Sequence, residues 1–196
     1  MRNFEWETVA LDESRGALVI NDPTLLPSRE ELLSLTTQAE IREAIYLLKV
    51  RGAPAIGVAA AIGLYLAARG IAAELAGPPP TSSGAASPPP SLSPRSPTAD
   101  AVFYAKLRAA KDYLNAARPT DVNLSWALNR MERAALALEG EALPRVVEAL
   151  RRECIAIKAE DACVCEAIGA HGLRLLRPGM GLLTHCNAGR LATASR

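Results

Sequence analysis

The apolar positions of this chain fall first into short β-prone runs and then into a repeat of three to four residues. Trp6 to Leu11 (WETVAL) and Ala17 to Asn21 (ALVIN) are such runs, and Ser14, Arg15 and Gly16 between them make a turn. A hairpin, and with it a small antiparallel sheet, is therefore expected to open the fold. From Thr37 the period lengthens: Ile41, Ala44, Ile45 and Leu48 form one stripe behind Thr37 as N-cap, and this helix is expected to end at Arg51-Gly52. Residues 54–69 are apolar almost all round, with Pro54 in the first turn, where a missing N–H leaves nothing unpaired. That helix is expected to be buried. Helical patterning resumes over 101–116, 121–138 and 143–175, with Asp121 or Thr120 as N-cap after Pro119 and Gly172 or Gly179 as stops.

Two stretches break this pattern. From Gly77 to Ala99 the chain reads GPPPTSSGAASPPPSLSPRSPTA, with too few apolar side chains to offset the entropy of ordering them. It is read as a disordered surface insertion between helices of one bundle, the alternative being an interdomain linker. After Pro178-Gly179, the run Gly181-Leu182-Leu183-Thr184-His185-Cys186 has the length and apolarity of a strand, and Asn187-Ala188-Gly189 follows it before a helical start. A strand, a tight glycine turn and a helix are how an α/β nucleotide- or phosphate-binding domain begins.

Composition narrows the function. The chain is 49% hydrophobic over 196 residues, enough for a proper core, and its 22 basic and 21 acidic residues leave a net charge of +1. No overall field attracts nucleic acid or an anionic membrane, so any bound anion needs a local site. The apolar stretch around Ala53 to Ala68 is short and interrupted for a bilayer span, no signal peptide opens the chain, and a cytoplasmic protein is expected. Cysteines 154, 163, 165 and 186 lack metal-binding spacing, and there are only two histidines, so neither a disulfide nor a metal site is expected.

Three constellations can carry chemistry. In Arg51-Gly52-Ala53-Pro54-Ala55-Ile56-Gly57 a guanidinium and a glycine precede a helix N-terminus, where free N–H groups and the helix dipole favour a phosphate. On local pattern alone, a helix–helix corner with the glycine for the turn and the arginine in solvent is the favoured reading. Ala117-Arg118-Pro119-Thr120-Asp121-Val122-Asn123-Leu124 again sets a basic residue before a helix start, either as a second arm for that anion or as a plain capped helix start. Thr184-His185-Cys186-Asn187-Ala188-Gly189 stands at the carboxyl end of the expected strand, where ligands bind in open α/β sheets. Cys186 there is either a nucleophile or proton carrier or a small buried residue.

In this order, VRGAPAIGVAAAIGL, ARPTDVNLSWAL and LLTHCNAGRLAT resemble the signature blocks of the methylthioribose-1-phosphate isomerases, within the superfamily that includes regulatory subunits of the translation-initiation nucleotide exchange factor. A weaker block runs from Ala159-Glu160-Asp161 to Gly169-Ala170-His171-Gly172, and the likeness covers roughly residues 4–194 apart from the insertion. The resemblance implies an α/β fold overall, of which this chain supplies a mostly α part with a small N-terminal antiparallel sheet and then the first strand of a Rossmann-like domain. The implied division is 1–76 with 100–176 as the N-terminal sheet-plus-helix-bundle domain, 77–99 as the insertion, and 177–196 as the start of a truncated catalytic domain.

It also implies conversion of 5-methylthio-α-D-ribose 1-phosphate to 5-methylthio-D-ribulose 1-phosphate in methionine salvage, by a homodimer with no cofactor. Arg51, Gly52 and Ala53 match the family's substrate-binding tripeptide, Arg118 its further substrate-binding arginine, and Cys186 its active-site cysteine. The family's acid is an aspartate well downstream of the cysteine block, so this chain by itself is expected to be inactive, and its lone apolar strand prone to aggregate. Arg190 stands where the family usually has a small residue, and Cys163 and Cys165 replace expected polar ones. The rival readings are ribose-1,5-bisphosphate isomerase and a non-catalytic sugar-phosphate- or nucleotide-binding regulatory subunit.

Overall fold

The computed structural model describes residues 7–77 and 97–194. The chain opens on an antiparallel sheet ordered β1-β2-β3, from β1 (Val9–Asp12), β2 (Ala17–Asn21) and β3 (Leu32–Leu35). The expected hairpin is present, with Val9 opposite Ile20 and Asp12 opposite Ala17; Trp6 lies outside the described residues. Its turn is closed by the Asp12 carboxylate, which accepts from the Ser14 and Arg15 backbone N–H groups at 3.0 and 3.2 Å and from the Ser14 hydroxyl at 2.6 Å. Those donors hold the Asp12 carboxyl below the usual carboxylate range, the Ser14 hydroxyl most of all. β3 has no counterpart in the sequence reading. Only Leu35 of its four residues is buried, so the run carries little apolar signal and owes its conformation to pairing with β2.

Helix α1 (Gln38–Tyr46) begins with a capping box, in which the Thr37 side chain accepts from the Glu40 N–H while the Glu40 carboxylate accepts from the Thr37 N–H. It ends before the expected Arg51-Gly52. Leu48 turns into the left-handed region at φ +57, and the Lys49 and Val50 N–H groups fold back onto the Ala44 carbonyl. Helix α2 (Ala53–Ala76) is the buried helix the sequence predicts, extended past 69 because Ile71, Ala72 and Leu75 still pack on the core. Around it lie α3 (Pro97–Asn115), α4 (Val122–Leu136) and α5 (Leu143–Leu173), and α2 touches all of them together with α1, β1 and β2. It alone among the described helices has the length and apolarity to cross a bilayer, and most of it is enclosed by its neighbours.

The small side chains of α2 explain its central place. At Gly57 an added Cβ would lie 3.0 Å from the Asn123 carbonyl oxygen, so α4 rests on α2 almost backbone to backbone. Larger side chains then fill the surround, among them Phe103, Leu114, Leu128, Met131 and Leu150, all fully buried and each stabilising by about 1.5–3 kcal/mol. The proline- and serine-rich insertion expected over 77–99 falls largely outside the described residues; of its ends, Gly77 closes α2 and Pro97 already opens α3.

The last core residue of α5 is Ile157; beyond it Val164 and Ile168 are exposed, as are Leu182 and Leu183. The strand expected over 181–186 is not formed, because a strand exists only against a hydrogen-bonded neighbour and, among the described residues, none pairs with this run. Instead the chain returns to the bundle through a 3-10 turn at Arg190–Ala192, where Ala192 and Ala194 are buried.

Candidate active site

Helices α2 and α4 begin side by side, since Pro54, Gly57, Val122 and Asn123 from their first turns line one groove of about 390 Å³ with Trp126, Ile157, Glu160, Asp161 and Val164. The two starts differ electrically. The α4 start is satisfied internally, the Asp121 side chain accepting from the Leu124 N–H at 2.9 Å. The α2 start has Gly52 as N-cap and no side-chain cap, so the positive end of that helix is left to an outside acceptor. Between them, α2 is the one fitted to take an anion.

Arg51 is half-buried and its Nε donates to the Leu48 carbonyl at 3.2 Å. The left-handed Leu48 therefore fixes the arginine stem through its own carbonyl. Gly52 sits at φ +83, Ala53 is exposed as the first helical residue, and Arg118 is half-buried beside α4. The Arg118 Nε lies 3.9 Å from the Asp121 carboxylate, beyond hydrogen-bond reach, and is buried with no partner. That N–H remains open to a further acceptor.

The third block arrives from the other end of the chain. A Cβ on Gly52 would lie 2.2 Å from the Ala192 carbonyl oxygen and 2.3 Å from its Cα, so the segment after the cysteine loop lies directly against the tripeptide. The Thr8 hydroxyl donates to the Arg190 carbonyl at 2.7 Å, and the Ala194 N–H donates to the Asp161 carboxylate at 2.8 Å. Cys186 is exposed and in the left-handed region at φ +63, a strained conformation for a residue other than glycine. The fold thus joins Gly52 to the cysteine block while leaving the Cys186 side chain open.

The sequence reading gave no role to four residues of the groove or of the strap that the returning segment 190–194 forms. Thr8 and Asp161 give no local signal of their bonding to a segment far along the chain, although Asp161 belongs to the weaker block noted above. Trp126 at the groove is held by the Arg130 guanidinium, 5.5 Å from its ring centroid, and Arg130 in turn bonds Glu160 and Glu153. The Arg130 guanidinium lowers the Glu160 carboxyl below its ordinary value, so an anionic carboxylate borders the groove at neutral pH. Asn123 enters through the close approach of α4 to Gly57.

Residues 49–195 match the initiation factor 2 subunit family. The chain is 48% identical over 190 residues to a methylthioribose-1-phosphate isomerase of Symbiobacterium thermophilum, covering 96% of itself and 46% of that protein. It is 45% identical over 186 residues to a 5-deoxyribose 1-phosphate isomerase of Petrotoga mobilis, covering 95% and 47%. The crystal structure of 5-methylthioribose 1-phosphate isomerase from Pyrococcus horikoshii OT3 superposes with a TM-score of 0.75 at 31% identity, over 96% of this chain and 46% of that one. That of translation initiation factor eIF-2B, subunit delta, from A. fulgidus gives 0.72 at 32%, over 97% and 47%. The chain spans under half the length of these relatives.

Proposed function

The chain belongs to the initiation factor 2 subunit family, and from that premise we propose that it carries the sugar-phosphate-binding part of an isomerase that converts 5-methylthio-α-D-ribose 1-phosphate to 5-methylthio-D-ribulose 1-phosphate in methionine salvage. The observation that carries this reading is the seating of the Cys186 block on Gly52 beside the uncapped start of α2, in a chain 48% identical to a methylthioribose-1-phosphate isomerase.

In this reading Arg51, Gly52 and Ala53 with the α2 N-terminus, and Arg118 from beside α4, hold the 1-phosphate and the ring hydroxyls. The 1-phosphate blocks spontaneous ring opening, so the ring oxygen must be protonated and the opened carbonyl form stabilised. Cys186 is assigned to that stabilisation, and no residue of this chain is assigned the role of acid. The same proposal includes no cofactor or metal, a cytoplasmic homodimer, and residues 177–196 as the start of a second, Rossmann-like domain after the sheet-plus-helix domain of 1–76 and 100–176.

The groove favours a sugar with an apolar C5 substituent. Pro54, Val122, Trp126, Ile157 and Val164 offer apolar contact, while Glu160 and Asp161 border the same space. A second phosphate there would face two carboxylates, which sets ribose 1,5-bisphosphate aside. The likeness to a 5-deoxyribose 1-phosphate isomerase favours a second substrate of the same kind, the 5-deoxy sugar. Turnover of ribose 1,5-bisphosphate is expected to be at least about 100-fold less efficient than that of either apolar sugar.

Phosphorus NMR on methylthioribose 1-phosphate tests the assignment, using this chain alone and joined to the second half of the Symbiobacterium relative. Turnover by the joined protein that Cys186→Ala abolishes supports the isomerase. Tight binding with no turnover in either form would favour a regulatory subunit, as the likeness to eIF-2B subunit delta suggests.

A further inference from the structure

The stripe that α5 turns toward the bundle does not stop with its last core residue. Cys154 and Ile157 face the core; Asp161 follows one turn later and Cys165 one turn after that, and both meet the returning segment. The Asp161 carboxylate accepts from the Ala194 N–H at 2.8 Å, and Cys165 meets the Thr193 side chain. Two more elements hold the same segment. The Thr8 hydroxyl binds the Arg190 carbonyl, and the Val9 N–H reaches the Ala194 carbonyl at 3.4 Å.

Burial follows this tethering. Ala192 is 5% exposed and Ala194 0%, whereas every residue from Thr184 to Arg190 is exposed. A buried backbone N–H such as that of Ala194 needs an acceptor, and a carboxylate gives the strongest neutral-to-charged bond available to it. The bond is made two residues past the point where the segment crosses Gly52, whose missing Cβ leaves room for Ala192.

We infer that Asp161 is a positioning residue that latches the Cys186-bearing loop across Gly52, so that the cysteine and the Arg51 tripeptide are held as one unit. The inference rests on the proposed reading only in calling those two arms parts of one site. Gly52 then serves the crossing of the chain as much as any ligand, and Asp161 acts through Ala194 without touching substrate.

Hydrogen exchange and thiol alkylation on this chain test the latch. The Ala194 amide is expected to be protected in the parent, and Asp161→Ala to speed its exchange about tenfold, the worth of one charge-assisted hydrogen bond. Asp161→Asn retains an oxygen acceptor and is expected to restore exchange to within about threefold of the parent. Alkylation of Cys186 by iodoacetamide should change in Asp161→Ala and revert in Asp161→Asn, with Cys163 on the exposed face of α5 as an unaffected control. Unchanged exchange in Asp161→Ala, or an Asn variant indistinguishable from Ala, would overturn the latch. So would exchange of the parent Ala194 amide as fast as that of exposed Leu183, a measurement that needs no variant. None of these readouts involves substrate, so failure of the latch and failure of the isomerase reading are separate results.

Discussion

At Gly52 two requirements fall on one backbone position, a left-handed φ of +83 and a chain crossing that leaves no room for a Cβ. An L-residue in that conformation costs roughly 1–2 kcal/mol before any clash. Gly52→Ala is therefore expected to lower the unfolding free energy by at least about 1–2 kcal/mol in urea titrations and to expose the Ala194 amide to exchange. A variant matching the parent on both counts would mean that the crossing does not exist in solution. Cys154 gives a prediction in pH. Burial pushes its thiol up from the usual 9.0 to about 12. The unfolded thiol ionises first as pH rises, so the folded state loses stability from about pH 9.0 upward, most of it by pH 12. Melting temperatures across that range should fall more steeply for the parent than for Cys154→Ala, and equal slopes would argue against burial of the thiol. Arg51 and Arg118 were legible as candidates because each stands just before a helix start that carries proline, and Cys186 because it precedes a glycine turn. What the sequence left open was whether they meet, since a contact between positions 52 and 192 has no periodicity to announce it.

Among the elements, the helices were legible and their ends were not. Stripes such as Ile41, Ala44 and Ile45 on α1 persist over several turns, so period alone identifies them. Ends depend on single residues: α1 stops at the left-handed Leu48, which no local rule selects, and α2 runs on through Gly70 because three further residues reach the core. β3 is a strand by virtue of β2, and residues 181–186 are not one for want of any such neighbour. The capping box gives the element-scale test. Thr37→Ala removes the acceptor for the Glu40 N–H at 3.2 Å and is expected to cost about 1 kcal/mol, with the loss confined to amide exchange in the first turn of α1. A loss spread evenly over the bundle would indicate that Thr37 acts through packing and not through the cap.

For the molecule as a whole, near-neutral charge and an apolar projection act together. Val164, Ile168, Leu182 and Leu183 are all more than half exposed, Leu183 completely, and a net charge of +1 supplies little repulsion between copies. The chain is expected to associate as concentration rises, and Ile168→Lys with Leu183→Asp to reduce that association in sedimentation velocity without shifting the melting temperature. Association unaffected by the pair would place the contact elsewhere. The charge balance was visible in composition; the projection was not, because the stripe of α5 reads as continuous core until the structure shows what each turn faces. One bond of the strap bears on the order of synthesis. The outer edge of β1 is met by Ala194 through the Val9 N–H, so that strand waits for a segment synthesised long after it. Until then the strand carries an open edge, and the interval during which a nascent chain can pair wrongly there is set by the speed of elongation more than by the speed of folding.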